Sequence, residues 1–462
     1  MNFEKIIVIN PGDNYKIIAE IEASTSQEID QKIMLAHQVF KIWSQYSVHE
    51  RIKILEKLFK AFDIQRHEIA KLIAIEMGMP ISVCSEIDIR VGLNYFQGYL
   101  DNAEVWLKQE IVFENATERH TVFFEGLGVV AASIPWNFPF TNFIWAVIPN
   151  LLVGNTIVLK HSENCVLTTK LLEKIFLASH ILEGVCNFVY GKGHDVGDYL
   201  INSNVDMIWF TGSTQTGHHV YQVAASKAIP VILELGGSAP GIIFEDVDID
   251  KVIDLIYVYR FANSGQSCDA LKRLIVHESI FDKIVDKLQW LLSTKKVGSP
   301  LDITTDLGPI VNKKQLETIQ AQVADAIYKG GKIICGGKQP EDLMGSYYEP
   351  TIITNISKSM KIYTEEVFGP VLAVLSFKTQ QEAIDLANDT IFGLGGYIFS
   401  SDKKRAFSVA QKLKTGNIGI NKANYVIPQD VFGGYKKSGI GREHGKIGIR
   451  SLCQMKLIAE EK

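Results

Sequence analysis

The chain has 462 residues, 47% hydrophobic and 21% charged, with 47 basic and 52 acidic side chains for a net charge of −5. That length exceeds one ordinary core and asks for two or three domains, and the composition is that of a soluble globular protein. A near-balanced charge without a basic tract argues against nucleic-acid or membrane-surface roles, and the start Met1-Asn2-Phe3-Glu4-Lys5-Ile6 lacks the basic flank and long apolar segment of a signal peptide.

After a short strand at 6–9, Ser26 is a candidate cap for a helix whose apolar positions Ile29, Ile33, Ala36, Phe40 and Trp43 step by the helical period. A second helix shows Ile52, Leu55, Phe59 and Phe62 on one face. A third runs through Ile69, Leu72 and Ile73 to Gly78 and Pro80, and a long helical stretch covers about 82–107. Two strand-like runs at 111–114 and 120–124 flank a polar turn, a projecting hairpin that needs cover from a partner subunit or from its own chain. From Gly126 the pattern becomes fully apolar strands alternating with amphipathic helices: 127–134, 157–160, 207–210 and 231–233, then 241–244, 274–276, 332–334, 371–377 and 417–420. This predicts parallel sheets covered on both faces, in two α/β units that meet near Leu235-Gly236-Gly237. The apolar stretch 138–159 is interrupted by Asn142, Asn150, Gly154 and Asn155, so it reads as a buried helix and strand and not as a membrane span. Six scattered cysteines, with no Cys-x-x-Cys pair and no histidine cluster nearby, predict no disulfide framework and no metal, and fit a reducing cytoplasm.

Two stretches carry candidate chemistry. In Phe261-Ala262-Asn263-Ser264-Gly265-Gln266-Ser267-Cys268 a thiol sits among small and amide residues, and in Glu234-Leu235-Gly236-Gly237 a carboxylate ends an apolar run at a glycine pair. Together they could oxidise an aldehyde through a thioester, although a lone cysteine is more often a small buried hydrophobe. Phe210-Thr211-Gly212-Ser213-Thr214-Gln215-Thr216-Gly217 links a strand to a helix and could face a pyrophosphate; such turns also occur with no ligand. Lys160 and Glu163 follow another strand of the same unit and could hold ribose hydroxyls, or form a solvated loop. Asn137, between Pro135 and Pro139, suits an oxyanion donor or a turn residue bonding its own backbone.

With Glu365-Glu366-Val367-Phe368-Gly369-Pro370 and the run from Phe432 to Glu443, these motifs resemble the NAD(P)-dependent aldehyde dehydrogenase superfamily. Pro-Trp-Asn-Phe-Pro, Phe-Thr-Gly-Ser, Glu-Leu-Gly-Gly, Gly-Gln-x-Cys, Glu-x-Phe-Gly-Pro and Phe-Gly-Gly-x-Lys-x-Ser-Gly-x-Gly-Arg-Glu occur in that order over residues 135–443. The resemblance implies two doubly wound α/β domains, one Rossmann-like and NAD-binding (1–104 and 125–234) and one catalytic (235–445). A bridging oligomerisation hairpin (105–124 and 446–462) would make a homodimer or homotetramer. It implies Cys268 as nucleophile, Asn137 as oxyanion donor and Glu234 as general base for the hydrolytic water. For the cofactor it implies Lys160 and Glu163 on the adenosine ribose, and Gly212, Ser213 and Gly217 at the pyrophosphate turn. Glu366 would hold the nicotinamide ribose, with Phe368 near the nicotinamide and Trp136 by the phosphates.

Three positions depart from the pattern: Ala146 where many relatives carry a basic residue, His161 where proline is common, and Asp269 directly after the nucleophile. Length and the Lys-His turn resemble short bacterial succinate-semialdehyde dehydrogenases, but the arginine that some of these place six residues before the cysteine is here Ala262, which leaves Arg260, two residues away, as candidate carboxylate anchor. The expectation is therefore oxidation of a small aldehyde, succinate semialdehyde first, with NAD favoured over NADP because Glu163 would repel a 2′-phosphate. A general, carboxylated or phosphorylated aldehyde is the alternative substrate. An acylating or phosphate-using relative would not need Glu234, and a retired binding relative would have lost Cys268 or Glu234.

Overall fold

The protein is described by a computed structural model covering residues 1–422 and 427–462. It opens with a hairpin of β1 (Ile6–Asn10) and β2 (Lys16–Ile21), followed by a helix Ser26–Trp43. The cap is Thr25, one residue before the expected Ser26. Its hydroxyl accepts from the Glu28 N–H while the Glu28 carboxylate accepts from the Thr25 N–H, satisfying two end donors reciprocally. The second and third expected helices are one helix, Val48–Met77, because nothing between Asp63 and Glu68 breaks it; Gly78 ends it at φ 85°. The helical stretch beyond is split by a π-turn, Ser85–Ile89, before a helix Arg90–Trp106.

The hairpin forms as β3 (Glu110–Glu114) and β4 (Glu118–Gly126). The first parallel sheet follows: β5 (Val129–Ile134), β6 (Thr156–His161), β7 (Cys186–Val189), β8 (Met207–Thr211) and β9 (Val231–Glu234). Their order, β7-β6-β5-β8-β9, is doubly wound: the chain leaves β5 in one direction and returns to build in the other. Strand β7 was not anticipated because Asn187 interrupts its apolar run. The buried amide is satisfied by the carbonyls of Ile157 and Gly184. Residues 138–159 form the expected buried pair, a helix Pro139–Val153 running into β6.

The second sheet contains β10 (Ala239–Ile243), β11 (Leu271–His277), β12 (Lys332–Cys335), β13 (Thr351–Thr354), β14 (Val371–Phe377), β15 (Gly395–Phe399) and β16 (Asn417–Ile420). They are ordered β12-β13-β14-β11-β10-β15-β16, all parallel except the edge strand β12. A two-residue strand, β17 (Gly439–Ile440), returns to the first sheet and pairs with β9, placing Gly439 opposite Glu234. Finally β18 (Cys453–Glu461) pairs with β4 along nine residues, so the hairpin is widened by the chain's own C-terminal strand. Ile111, Val112, Phe113, Met455, Leu457 and Ile458 remain exposed on this three-stranded arm. Among the described residues, no helix is long and apolar enough to cross a membrane.

Candidate active site

The connections that follow β5 and β8 run to opposite sides of the sheet where the winding reverses, and a crevice opens there beyond their carboxyl ends. It continues as a cleft of about 310 Å³ lined from both sheets, with Asn137, Glu234 and Cys268 on its wall.

The nucleophile loop leaves the helix Ile249–Phe261 through three successive left-handed residues, Asn263 (φ 51°), Ser264 (φ 53°) and Gly265 (φ 73°). Such a run is costly for residues with a Cβ, and the loop is held against it from several sides. The Ser264 hydroxyl donates to Gly308 O, and the Gln266 amide donates to Asn263 O and accepts from the Val311 N–H. Gly265 packs directly on the Gly369 carbonyl, where a Cβ would collide. Cys268 is presented half-buried at the end of this braced loop. Burial, then Asp269, then Glu234 and Glu366 push its thiol well above the ordinary range, and Lys272 opposes them. Asp269 is not turned away. Its carboxylate takes the Ser267 hydroxyl at 2.7 Å and lines the cleft.

Glu234 ends β9 with both carboxyl oxygens buried and without a hydrogen-bond partner among the described residues. Burial, with the nearby Glu443 carboxyl adding to it, raises its pKa well above the carboxylate range. Glu443 faces the same cleft, and burial pushes it up to about 8. Each of the two buried acids therefore holds its proton to higher pH than an ordinary carboxyl.

Asn137 is fixed by its neighbours at both its backbone and its side chain. Asn263, from the nucleophile loop, donates to Asn137 O at 2.7 Å; the Asn142 amide lies 3.4 Å from Asn137 Oδ1, which turns the Asn137 NH₂ the other way. Asp88 of the π-turn accepts from the N–H groups of Phe140 and Thr141 at the start of the following helix. His161 bonds to Pro139 O through Nε2 while its Nδ1 accepts from the Ser162 N–H; burial depresses its pKa to about 4, so the ring is neutral. The residue that replaces proline thus ties the end of β6 to the Asn137 turn.

Lys160 and Glu163 form an ion pair at 2.9 Å beyond β6. Burial opposes the Glu163 charge, but attraction to Lys160 and its hydrogen bond hold the carboxyl below the ordinary range. Ser213 caps the helix Thr214–Lys227, accepting from the Thr216 N–H, so that helix N-terminus opens on the cleft beside Gly212. Gly217 lies one turn further in, packed against Leu235 where a Cβ would clash; its place is helix-on-strand packing. Glu366 lies over Gly236, another position closed to a Cβ, and accepts from the Gly237 N–H. Trp136 and Phe368 meet edge to face at 5.5 Å on the cleft wall.

Arg260 is a correction. Its guanidinium is fully buried and donates to the carbonyls of Val371, Val367 and Gly369, away from the cleft. It braces the Glu366-Phe368 loop and does not anchor a substrate carboxylate. No lysine or arginine is among the described residues that line the cleft. Ala146 is fully buried, so no cation reaches the cleft from that position. Sequence reasoning gave no role to Trp145, Phe432 or Glu443, which line the cleft, or to Lys272 behind it. The Phe432 to Glu443 motif was the one available signal for two of these.

The sequence profile described as "Aldehyde dehydrogenase family" matches residues 1–458. The chain is 37% identical to peroxisomal aminoaldehyde dehydrogenase 1 of Pisum sativum, over 98% of this chain and 92% of that one. It is 35% identical to chloroplastic betaine aldehyde dehydrogenase of Beta vulgaris (99% and 93% covered). It is 34% identical to mitochondrial succinate-semialdehyde dehydrogenase of Arabidopsis thaliana (98% and 86%). Among solved structures, betaine aldehyde dehydrogenase of Staphylococcus aureus in complex with NAD+ superposes with a TM-score of 0.94 at 34% identity, covering 99% and 91% of the two chains. An NADP-dependent enzyme of E. coli gives 0.95 at 31% identity, covering 99% and 95%.

Proposed function

The chain belongs to the aldehyde dehydrogenase family, and on that premise we propose that it oxidises a small aldehyde to its carboxylic acid through a thioester on Cys268, with NAD as cofactor. The observation that carries this reading is the convergence of Cys268, Glu234 and Asn137 on one cleft at the winding reversal. The cleft fits the pyrophosphate and nicotinamide half of a dinucleotide, with a helix N-terminus for the pyrophosphate, glycines where backbone must come close and Glu366 for one ribose; Glu163, beyond β6 and outside the cleft lining, would hold the other ribose. When bound, NAD supplies the hydride acceptor. The protein does the rest. Cys268, its proton released to solvent, adds as the thiolate to the aldehyde carbon, and the Asn137 NH₂ and the Cys268 N–H hold the oxyanion that forms as the carbonyl π bond breaks. After oxidation Glu234 takes a proton from water, which attacks the thioester; the C–S bond breaks, the acid leaves and Cys268 is restored. Glu443 lines the same cleft and raises the proton affinity of Glu234 through its charge.

Succinate semialdehyde keeps one support, the Arabidopsis relative, and loses another in Arg260. A substrate carboxylate would meet Asp269 in a lining without a described cation. Phe138, Trp145 and Phe432 with that carboxylate suit an uncharged or cationic aldehyde better, which agrees with the names of the pea and beet relatives. Initial rates of NADH formation across 3-aminopropanal, betaine aldehyde, butanal and succinate semialdehyde test this. The amino and uncharged aldehydes are expected to have the higher kcat/KM; a preference for succinate semialdehyde would overturn the substrate assignment.

The choice of NAD rests on Glu163, held ionised by Lys160 where a 2′-phosphate would add negative charge. Glu163→Gln is expected to raise the NADP:NAD ratio of kcat/KM by about tenfold, the scale of one removed like-charge contact. An unchanged ratio would remove Glu163 as the selector. The exposed apolar side chains of the arm support a homodimer or homotetramer, and six free thiols support a reducing compartment such as the cytoplasm.

A further inference from the structure

Cys268 is set in a wall of like charge. Asp269 follows it directly, Glu234 and Glu366 line the same cleft, and each disfavours a thiolate. Opposing them is Lys272, four residues on in β11 and almost fully buried. Its ammonium donates to Cys268 O at 2.9 Å, to Gly237 O at 2.7 Å and to Glu366 Oε1 at 2.5 Å. An ammonium has three N–H donors and a neutral amine only two, so three acceptors at hydrogen-bond distance call for the charged form. Burial lowers the Lys272 pKa, and the Glu366 carboxylate counters it. Two further buried cations nearby are committed elsewhere, Arg260 to the carbonyls of residues 367–371 and Arg273 to Ser238 and the carbonyls of Leu386 and Ala387.

We propose that Lys272 is a positioning residue that clamps the nucleophile loop, the Gly236-Gly237 hinge and Glu366 through one ammonium, and whose charge makes Cys268 reactive despite the acids around it. It touches neither substrate nor the reacting sulfur, and acts through the backbone it holds and the field it projects. It also fills the electrostatic role left open by Ala146 and aggravated by Asp269. Attraction from a charge a few ångströms away is strong where water is excluded, so one buried lysine can offset part of the effect of the acids around the thiol. The same clamp orients Glu366, leaving its second oxygen over Gly236 for a ribose hydroxyl.

This inference rests on Cys268 being the nucleophile, and its test needs neither aldehyde nor cofactor, so it fails or stands separately from turnover. The readout is the rate of Cys268 alkylation by iodoacetamide as a function of pH, followed by peptide mass. Lys272→Met removes the charge and the clamp; Lys272→Gln removes the charge but keeps two donors, and guards against a variant that does not fold. Both are expected to slow alkylation at pH 7.5 by about tenfold or more, the scale of one lost charge at short range. The deficit should close as pH rises and the thiol ionises unaided. Asp269→Asn, which removes an opposing charge, should speed alkylation under the same conditions. Wild-type alkylation profiles in both lysine variants, or a deficit equal at every pH, would show a merely structural lysine and overturn the proposal.

Discussion

Replacing Cys268 with alanine is expected to lower kcat for aldehyde oxidation by at least about 10⁴-fold, the scale on which enzymes lose a covalent nucleophile. NAD affinity should stay within about twofold, because no contact of the thiol is used in holding Glu163, Glu366 or the helix Thr214–Lys227. The loop itself should survive. Its left-handed run is braced through Ser264, Gln266 and Asn263, none of which bonds to the Cys268 side chain. Steady-state NADH formation and equilibrium NAD titration on the same preparation check both halves. Substantial residual oxidation by the alanine variant would move the chemistry to another group.

The second large effect falls on hydrolysis. Glu234→Gln is expected to slow steady-state turnover by about 10²–10⁴-fold, the usual worth of a positioned general base, while oxidation in the first turnover proceeds. The pH dependence separates the base from a bystander. A carboxyl must lose its proton to act as a base, and burial and Glu443 raise the Glu234 pKa. Its basic form therefore appears only as pH rises past the ordinary carboxylate range. Turnover limited by hydrolysis should climb with pH above the ordinary carboxylate range in the wild type and lose that limb in Glu234→Gln. Measurement of kcat against pH for both proteins decides it; a limb retained by the variant would assign it elsewhere.

What the sequence made readable and what it did not divide along a physical line. Cys268, Glu234, Gly212 and Ser213 stand at junctions where an apolar run gives way to glycine, and such junctions are local. Long apolar strands were equally plain. Strands β13 and β15 were missed because Thr-Ile-Ile-Thr is short and Gly-Gly-Tyr-Ile-Phe begins with glycines that mimic a turn. Lys272 and Glu443 gave no signal because their importance arises only where distant segments meet: residues 237, 268 and 366 around one ammonium, and β17 bringing Glu443 back to the cleft beside Glu234. Arg260 misled for the same reason in reverse. Eight residues from the nucleophile in sequence, it projects from the end of its helix into the loop carbonyls behind the site. Nearness along the chain carries no direction.

The measurement that bears most directly on the thioester mechanism is the intact mass of Glu234→Gln quenched after mixing with excess aldehyde and NAD, read beside the NADH formed in the first turnover. A protein heavier by one acyl group on Cys268, with about one NADH per active site released in a burst, is the predicted result. NADH formed with no acylated cysteine, at any quench time, would contradict a thioester and with it the division of labour between Cys268 and Glu234.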